Sequence, residues 1–232
     1  MRTFIAAAFV IVSLNAVFGG GLSLSAEYGV RDAAVRGYLL SNRQQIDVTL
    51  SSLGCDPAYL ICVVYPELLR YSSFRDRFES AALKIAYVGV GRQGADFSIG
   101  PFQMKPSFAE SVEEGIRTND IPGFTNLLAF RSTDLAGKRR ERVARLSSLG
   151  GELGYLAAFY QLARRLYPAR VNATDREAAL RFLCALYNAG IDRGSVLAEK
   201  FAARAHFPDG RGKPGLVYGD VAAAYWRETA GK

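Results

Sequence analysis

The chain has 232 residues, half of them hydrophobic, and 29 Lys and Arg against 22 Asp and Glu, a formal net charge of +7. That length and apolar content suffice for one domain with a sizeable core, and 22% charged residues with only 8 prolines exclude extensive disorder. A single histidine, His206 in a Pro/Gly-rich tail, and three cysteines without a Cys-x-x-Cys offer no zinc ligand set and no Ser-His-Asp or Cys-His machinery. No metal and no cofactor is expected, and any catalysis falls to carboxylates.

Met1-Arg2, the apolar run Phe4 to Phe18 and the small-residue stretch Gly19 to Ala26 have the layout of a secretory signal peptide over residues 1–26, cleaved between 18 and 26. The run is shorter than the ~20 residues that span a bilayer. An exported protein of the periplasm or cell envelope is expected, touching a membrane only through an uncleaved leader. No cysteine lies in the stretch directly after the run, which argues against lipoprotein processing. Loss of Arg2 leaves about +6, a charge suited to anionic envelope polymers. The basic cluster Lys138-Arg139-Arg140-Glu141-Arg142 is interrupted by an acid and carries no interleaved aromatics, so it reads as a solvated helix face and not as a nucleic-acid site.

Residues 27–232 read as one mainly helical domain. Glu27 to Leu50 has helical apolar spacing and breaks at Ser51-Ser52-Leu53-Gly54. Asp56-Pro57 supplies an N-cap and a first-turn proline for the almost wholly apolar run Ala58 to Tyr65. Pro66 predicts a kink or an end. Glu67 follows at once, and desolvation beside an apolar helix would raise its pKa and make it a proton donor. By position alone a Glu67–Arg70 pair, which would lower the pKa, is the plainer account. A second candidate acid, Glu79, follows the polar and charged stretch Tyr71 to Phe78.

Gly94 to Pro106 contains two glycines and two prolines and reads as a tight loop lining a groove. Ser98, Gln103 and backbone amides near Gly100 suit a hydroxyl-rich ligand, with Ile99, Phe102 and Met104 anchoring the loop from beneath. A plain helix-to-helix turn is the competing account on composition. Ser107 with Glu110, and Thr174 with Glu177, have capping-box spacing. A helix from Ser107 is expected to end near Asn119 to Pro122, and a basic helix covers Ala136 to Leu146. A long helix follows Gly150-Gly151, with Glu152 as a favourable charge at its N-terminus. Gly190 is placed as a C-cap, so Tyr187 and Asn188 lie at a helix end. Phe207 to Gly215 is expected as a loop and Tyr218 to Arg227 as a closing helix. Cys62 and Cys184 read as buried thiols, and a disulfide from Cys55 to either is left open.

Ser98-Ile99-Gly100-Pro101-Phe102-Gln103-Met104-Lys105-Pro106-Ser107 resembles the Gly-Leu-Met-Gln-Ile-x-Pro-x-Ser/Thr loop of lytic transglycosylases and goose-type lysozymes. Ala185-Leu186-Tyr187-Asn188-Ala189-Gly190 resembles the Ala-Tyr-Asn-Ala-Gly signature of the same superfamily, in the same order along the chain. The resemblance implies a single lysozyme-like helical domain with a substrate groove. It also implies cleavage of the MurNAc-GlcNAc β-1,4 linkage of peptidoglycan glycan strands by one Glu acting as acid and then base, leaving 1,6-anhydro ends. Glu67, at the end of a hydrophobic helix upstream of the loop, takes that role. Glu79, in a Glu-Ser pair and nearer the loop, is the runner-up, and choosing Glu67 makes Arg75 to Gly91 an insertion of helical character. Tyr187 would orient or stabilise the acid, and Ser98, Gly100, Gln103 and Asn188 would hold the sugar. Two alternatives stand beside this. One is a hydrolytic, muramidase-like enzyme with Asp96 as second carboxylate. The other is a non-catalytic peptidoglycan-binding protein on the same fold.

Overall fold

A computed structural model describes residues 22–71 and 80–230; the expected leader up to residue 21 and the alternative acid Glu79 lie outside the described residues. The helical pattern over 27–50 becomes three helices, α1 (Leu24–Tyr28), α2 (Val30–Ser41) and α3 (Arg43–Ser52). Gly29 divides the first pair with φ +49°, a conformation cheap only for glycine, and Asn42 divides the second. The folded body starts ahead of residue 27. Leu24 is wholly buried and its N–H donates to the Glu228 carboxylate (3.1 Å).

Asp56 and Pro57 act as their order predicts. The Asp56 carboxylate accepts from the Tyr59 N–H (3.2 Å), and Pro57 opens α4 (Pro57–Tyr71). Of the two outcomes expected at Pro66, an end to the helix does not occur, and every residue from Tyr59 to Leu69 is buried. A proline costs a helix one hydrogen bond and a local clash. Burying eleven consecutive side chains, at about 1.5–3 kcal/mol for each large apolar one, outweighs that.

Beyond α4 come α5 (Ser80–Val90), α6 (Pro106–Asn119), α7 (Thr125–Leu128) and α8 (Leu135–Leu146), then α9 (Leu149–Leu166) and α10 (Pro168–Val171). The chain continues with α11 (Arg176–Ala189), a 3-10 turn over Ile191–Arg193, α12 (Gly194–Ala202) and α13 (Tyr218–Thr229). The fold is mainly α. α11 lies against α4, α12 and α13, and α9 lies against α3, α6 and α8. A continuous cluster of buried side chains runs from Leu24 to Ala224 through both groups. Cys55, Cys62 and Cys184 are all buried free thiols within it, so the open disulfide does not form. Arg142, from the basic cluster, is buried too. It grips Glu113 with two bonds (2.9 and 2.6 Å) and meets the Tyr87 hydroxyl (2.6 Å), tying α8 to α6 and α5.

Three local expectations change. The expected Ser107 capping box gives way to Pro106 at the first helical position, with Ser107 already inside α6. At α11 the cap is Asp175, one residue past Thr174, accepting from the Glu177 and Ala178 N–H groups at 3.0 Å. The expected loop at Phe207 to Gly215 holds an antiparallel hairpin, β1 (Ala205–Pro208) with β2 (Pro214–Val217). The Asp209 carboxylate builds its turn by accepting from the Arg211 and Lys213 N–H groups (2.9 and 2.8 Å).

Candidate active site

Glu67 lies near the end of α4, only 5% exposed, with the half-exposed Arg70 guanidinium 3.2 and 3.4 Å from its two oxygens. The desolvated acid and the ion pair expected as rivals therefore coexist. Burial raises the Glu67 pKa, Arg70 and more weakly Lys105 lower it, and the carboxyl settles at about 7. Burial prevails because Arg70 itself stands largely in water, which screens its field.

The loop after α5 is closed by paired backbone bonds between Ile99 and Met104 (2.9 and 3.1 Å), with Gly100 to Gln103 as its tip. Ile99, Phe102 and Met104 are buried beneath it, as their apolar character requires. Gly100 (φ +70°) and Gln103 (φ +53°) are both left-handed, and the second is uncommon for a residue with a side chain. The Gln103 side-chain amide donates to the Gly100 carbonyl (2.9 Å), leaving its Oε1 without a protein donor among the described residues.

Two more helices complete the site. α11 ends at Gly190, whose φ of +95° stops the helix where its sequence position predicts and leaves Tyr187 and Asn188 on its last turn. α6 begins under the loop, where Asp96 accepts from the Ser107 N–H (3.1 Å) and hydroxyl (2.8 Å). That side chain does for the start of α6 what the expected capping box would have done.

These parts enclose one cavity of about 710 Å³, lined by Glu67, Asp96, Ser98, Gln103, Tyr187 and Asn188 among others. Six residues singled out in the sequence are thus brought together from α4, the loop and α11. Gly100 is not; a Cβ there would fall on the Glu152 carboxyl and the Leu146 carbonyl, so glycine is required for packing behind the loop and not for ligand contact. Tyr187 makes a bond that the sequence did not foretell. Its hydroxyl donates to the Phe102 carbonyl (2.6 Å), so it steadies the loop beside the acid instead of bonding Glu67. Burial and then the Glu67 charge hold its pKa well above the usual phenol value. Asn188 lines the cavity too, and its Nδ2 is buried with no partner among the described residues.

Glu152 is the largest correction. It is not a charge decorating a helix end but a wholly buried side chain that accepts the Phe102 N–H (2.8 Å), and burial lifts its pKa to about 9. An uncharged carboxyl gains nothing from a helix dipole. Arg92, Ser111, Asp192 and Phe201 also line the cavity and were missed. Ser111 lies one helical turn beyond Ser107 and Phe108, and Asp192 comes two residues after Gly190, so proximity to the motifs was a usable signal for both. Arg92 and Phe201 carry none.

Among the described residues no group of three His, Cys, Asp or Glu is placed to hold a metal. The chemistry on offer is a carboxyl poised to give or take a proton near neutral pH in a cavity whose lining also holds the polar side chains of Gln103 and Asn188 and the cations Arg70, Arg92 and Lys105. Comparison with protein-family models, curated protein sequences and solved structures returns no significant match to this chain.

Proposed function

We propose that the protein is an exported, lysozyme-like lytic transglycosylase that cleaves the MurNAc-GlcNAc β-1,4 linkage of peptidoglycan glycan strands at this cavity. One observation carries the reading: Glu67, the buried acid with a pKa of about 7, shares a cavity wall with both halves of the resembling motifs, Ser98 to Gln103 and Tyr187-Asn188. Glu67 in its protonated form donates to the glycosidic oxygen as the C1–O bond breaks. The carboxylate so formed, held by Arg70, takes the proton from the sugar's own 6-hydroxyl as that oxygen closes on C1, giving a 1,6-anhydro end and restoring the acid. The Gln103 Oε1 suits the N–H of an acetamido group, and Asn188 in the same cavity lining offers a second amide side chain to the sugar. Arg70, Arg92 and Lys105 suit the carboxylates that such strands bear.

A hydrolytic course with Asp96 as second carboxylate keeps a place because Asp96 lines the same cavity. Its two oxygens are already committed to Ser107, which favours the single-acid course. The leader would deliver the chain to the envelope, and cleavage ahead of Leu24 keeps that core residue in the mature protein. Digestion of purified sacculi by wild type and Glu67→Gln, with mass analysis of the fragments, tests the proposal. Anhydro ends that vanish with Glu67→Gln are expected. Reducing ends would indicate hydrolysis, and binding without any cleavage would indicate a wall-binding protein.

A further inference from the structure

We infer that Glu152 is a positioning residue for the ligand-binding loop: with Tyr187 it grips the two ends of Phe102 and so sets Gln103 in the cavity wall. The inference rests on the proposed function only in taking Gln103 as a ligand contact.

Glu152 lies outside the cavity lining, on α9 behind the loop. One oxygen accepts the Phe102 N–H at 2.8 Å, and the other is buried without a partner among the described residues. The Phe102 carbonyl accepts the Tyr187 hydroxyl at 2.6 Å. Both backbone groups of one residue are therefore tied by side chains from two different helices, α9 and α11. Gly100 is pressed against the Glu152 carboxyl so closely that no Cβ fits, which fixes the near side of the same turn. Gln103, next in the chain, is held at φ +53°, a conformation that persists in a residue with a Cβ only where its surroundings over-determine it.

A leucine of similar volume at 152 would fill the space without desolvating a carboxyl, but it would strand the Phe102 N–H in a dry interior. The acceptor is what the position requires, and a charge is not. Burial lifts the Glu152 pKa with only the Phe102 bond opposing, so the group is uncharged at neutral pH. The titratable groups that sense it are Tyr187 on α11 and Tyr38 on α2, both phenols whose pKa is itself raised by burial. Glutamine, which keeps the acceptor, should therefore replace it.

The test compares wild type, Glu152→Gln and Glu152→Ala by amide hydrogen exchange at Phe102 and Gln103 without substrate, and by KM and kcat on soluble peptidoglycan fragments. Glu152→Ala is expected to speed Phe102 exchange and raise KM, each by about tenfold, the loss of one buried hydrogen bond, with kcat less affected. Glu152→Gln is expected to keep both within about twofold. If Glu152→Ala does not fold, the Phe102 amide resonance decides: it is expected to shift with the ionisation of Glu152, near pH 9, in wild type and to stay flat in Glu152→Gln. Unchanged Phe102 exchange in Glu152→Ala, a Glu152→Gln protein as impaired as Glu152→Ala, or the same Phe102 titration in wild type and Glu152→Gln would overturn the inference. Exchange and titration need no substrate, so they decide it even if the wild type cleaves no glycan.

Discussion

Glu67 and Glu152 are two acids taken out of water in one small protein, and the difference between their surroundings separates the proposed proton-transfer group from the inferred clamp. Burial drives both upward. At Glu67 a half-exposed Arg70, with Lys105 behind it, draws the carboxyl back to about 7, and one side of it meets a cavity. At Glu152 only a backbone N–H opposes burial, the carboxyl stands at about 9, and the side chain lies outside the lining of that cavity. Burial alone thus yields an inert neutral acid. Burial partly offset by a screened cation yields one that changes charge near neutral pH, where general acid–base catalysis is most efficient.

The largest effect should come from breaking the first member of the pair. Glu67→Gln cannot give a proton, and we expect turnover on sacculi to fall by about a thousandfold, within the range usual for losing a general acid, while the protein stays folded. Thermal unfolding and fragment release measured side by side check both halves. The second member should betray itself in stability. Below pH 4.5, the ordinary carboxylate value, Glu152 is protonated whether the chain is folded or not; between 4.5 and about 9 the unfolded chain loses the proton and the folded one keeps it. Unfolding then releases a proton, so stability falls as pH rises, by about 1.4 kcal/mol per unit at full effect, and levels off above the folded pKa. Glu67 adds the same sign of dependence only up to about 7. Urea unfolding from pH 5 to 8 should show Glu152→Gln gaining on wild type steadily across the range, whereas Glu67→Gln gains only up to about neutrality.

A smaller effect should come from the offset itself. Arg70 lowers the Glu67 pKa by its charge and then by its hydrogen bond, so Arg70→Gln should let the carboxyl rise. Activity that needs a protonated Glu67 declines as pH rises through the folded pKa. In Arg70→Gln that alkaline limb should move upward, by about one unit as for loss of one nearby opposite charge. A limb that stays in place, or moves down, would show that Arg70 does not tune the acid.

Much of this site was legible before any coordinates, and the illegible part has a common cause. Ile99, Phe102, Met104 and Gly190 declare themselves because their roles are local: apolar anchors under a glycine-bounded turn, and a glycine past a helical stripe. Glu67 was legible as a candidate because Asp56-Pro57 and the apolar run fix the helix that carries it. The role of Glu152 was misjudged, and the Tyr187 bond not foreseen, because the Phe102 backbone they share lies 50 and 85 residues away in the chain. A glutamate in a first helical turn looks like a dipole partner unless one knows that another loop lies over it. The hairpin at Ala205–Pro208 and Pro214–Val217 was hidden for a different reason: four-residue strands flanked by prolines carry no readable alternation.

Asp96 is the third carboxylate of the comparison, and the smallest change is expected there. It lines the cavity with Glu67 but is spent like Glu152, holding backbone, since its oxygens take the Ser107 N–H and hydroxyl at the start of α6. Asparagine keeps one acceptor for the Ser107 N–H, so Asp96→Asn should cost about 1 kcal/mol or less of stability, as a conservative change at a helix start does. Cleavage should stay within about twofold of wild type, with anhydro ends unchanged, because a group occupied in capping is not free to activate water. A water-activating role would instead appear as a fall of about a hundredfold or more in cleavage with the helix intact. Reducing ends would then be found among the wild-type products. That result would move Asp96 from the side of Glu152 to the side of Glu67, and replace the one-acid course with the two-carboxylate one.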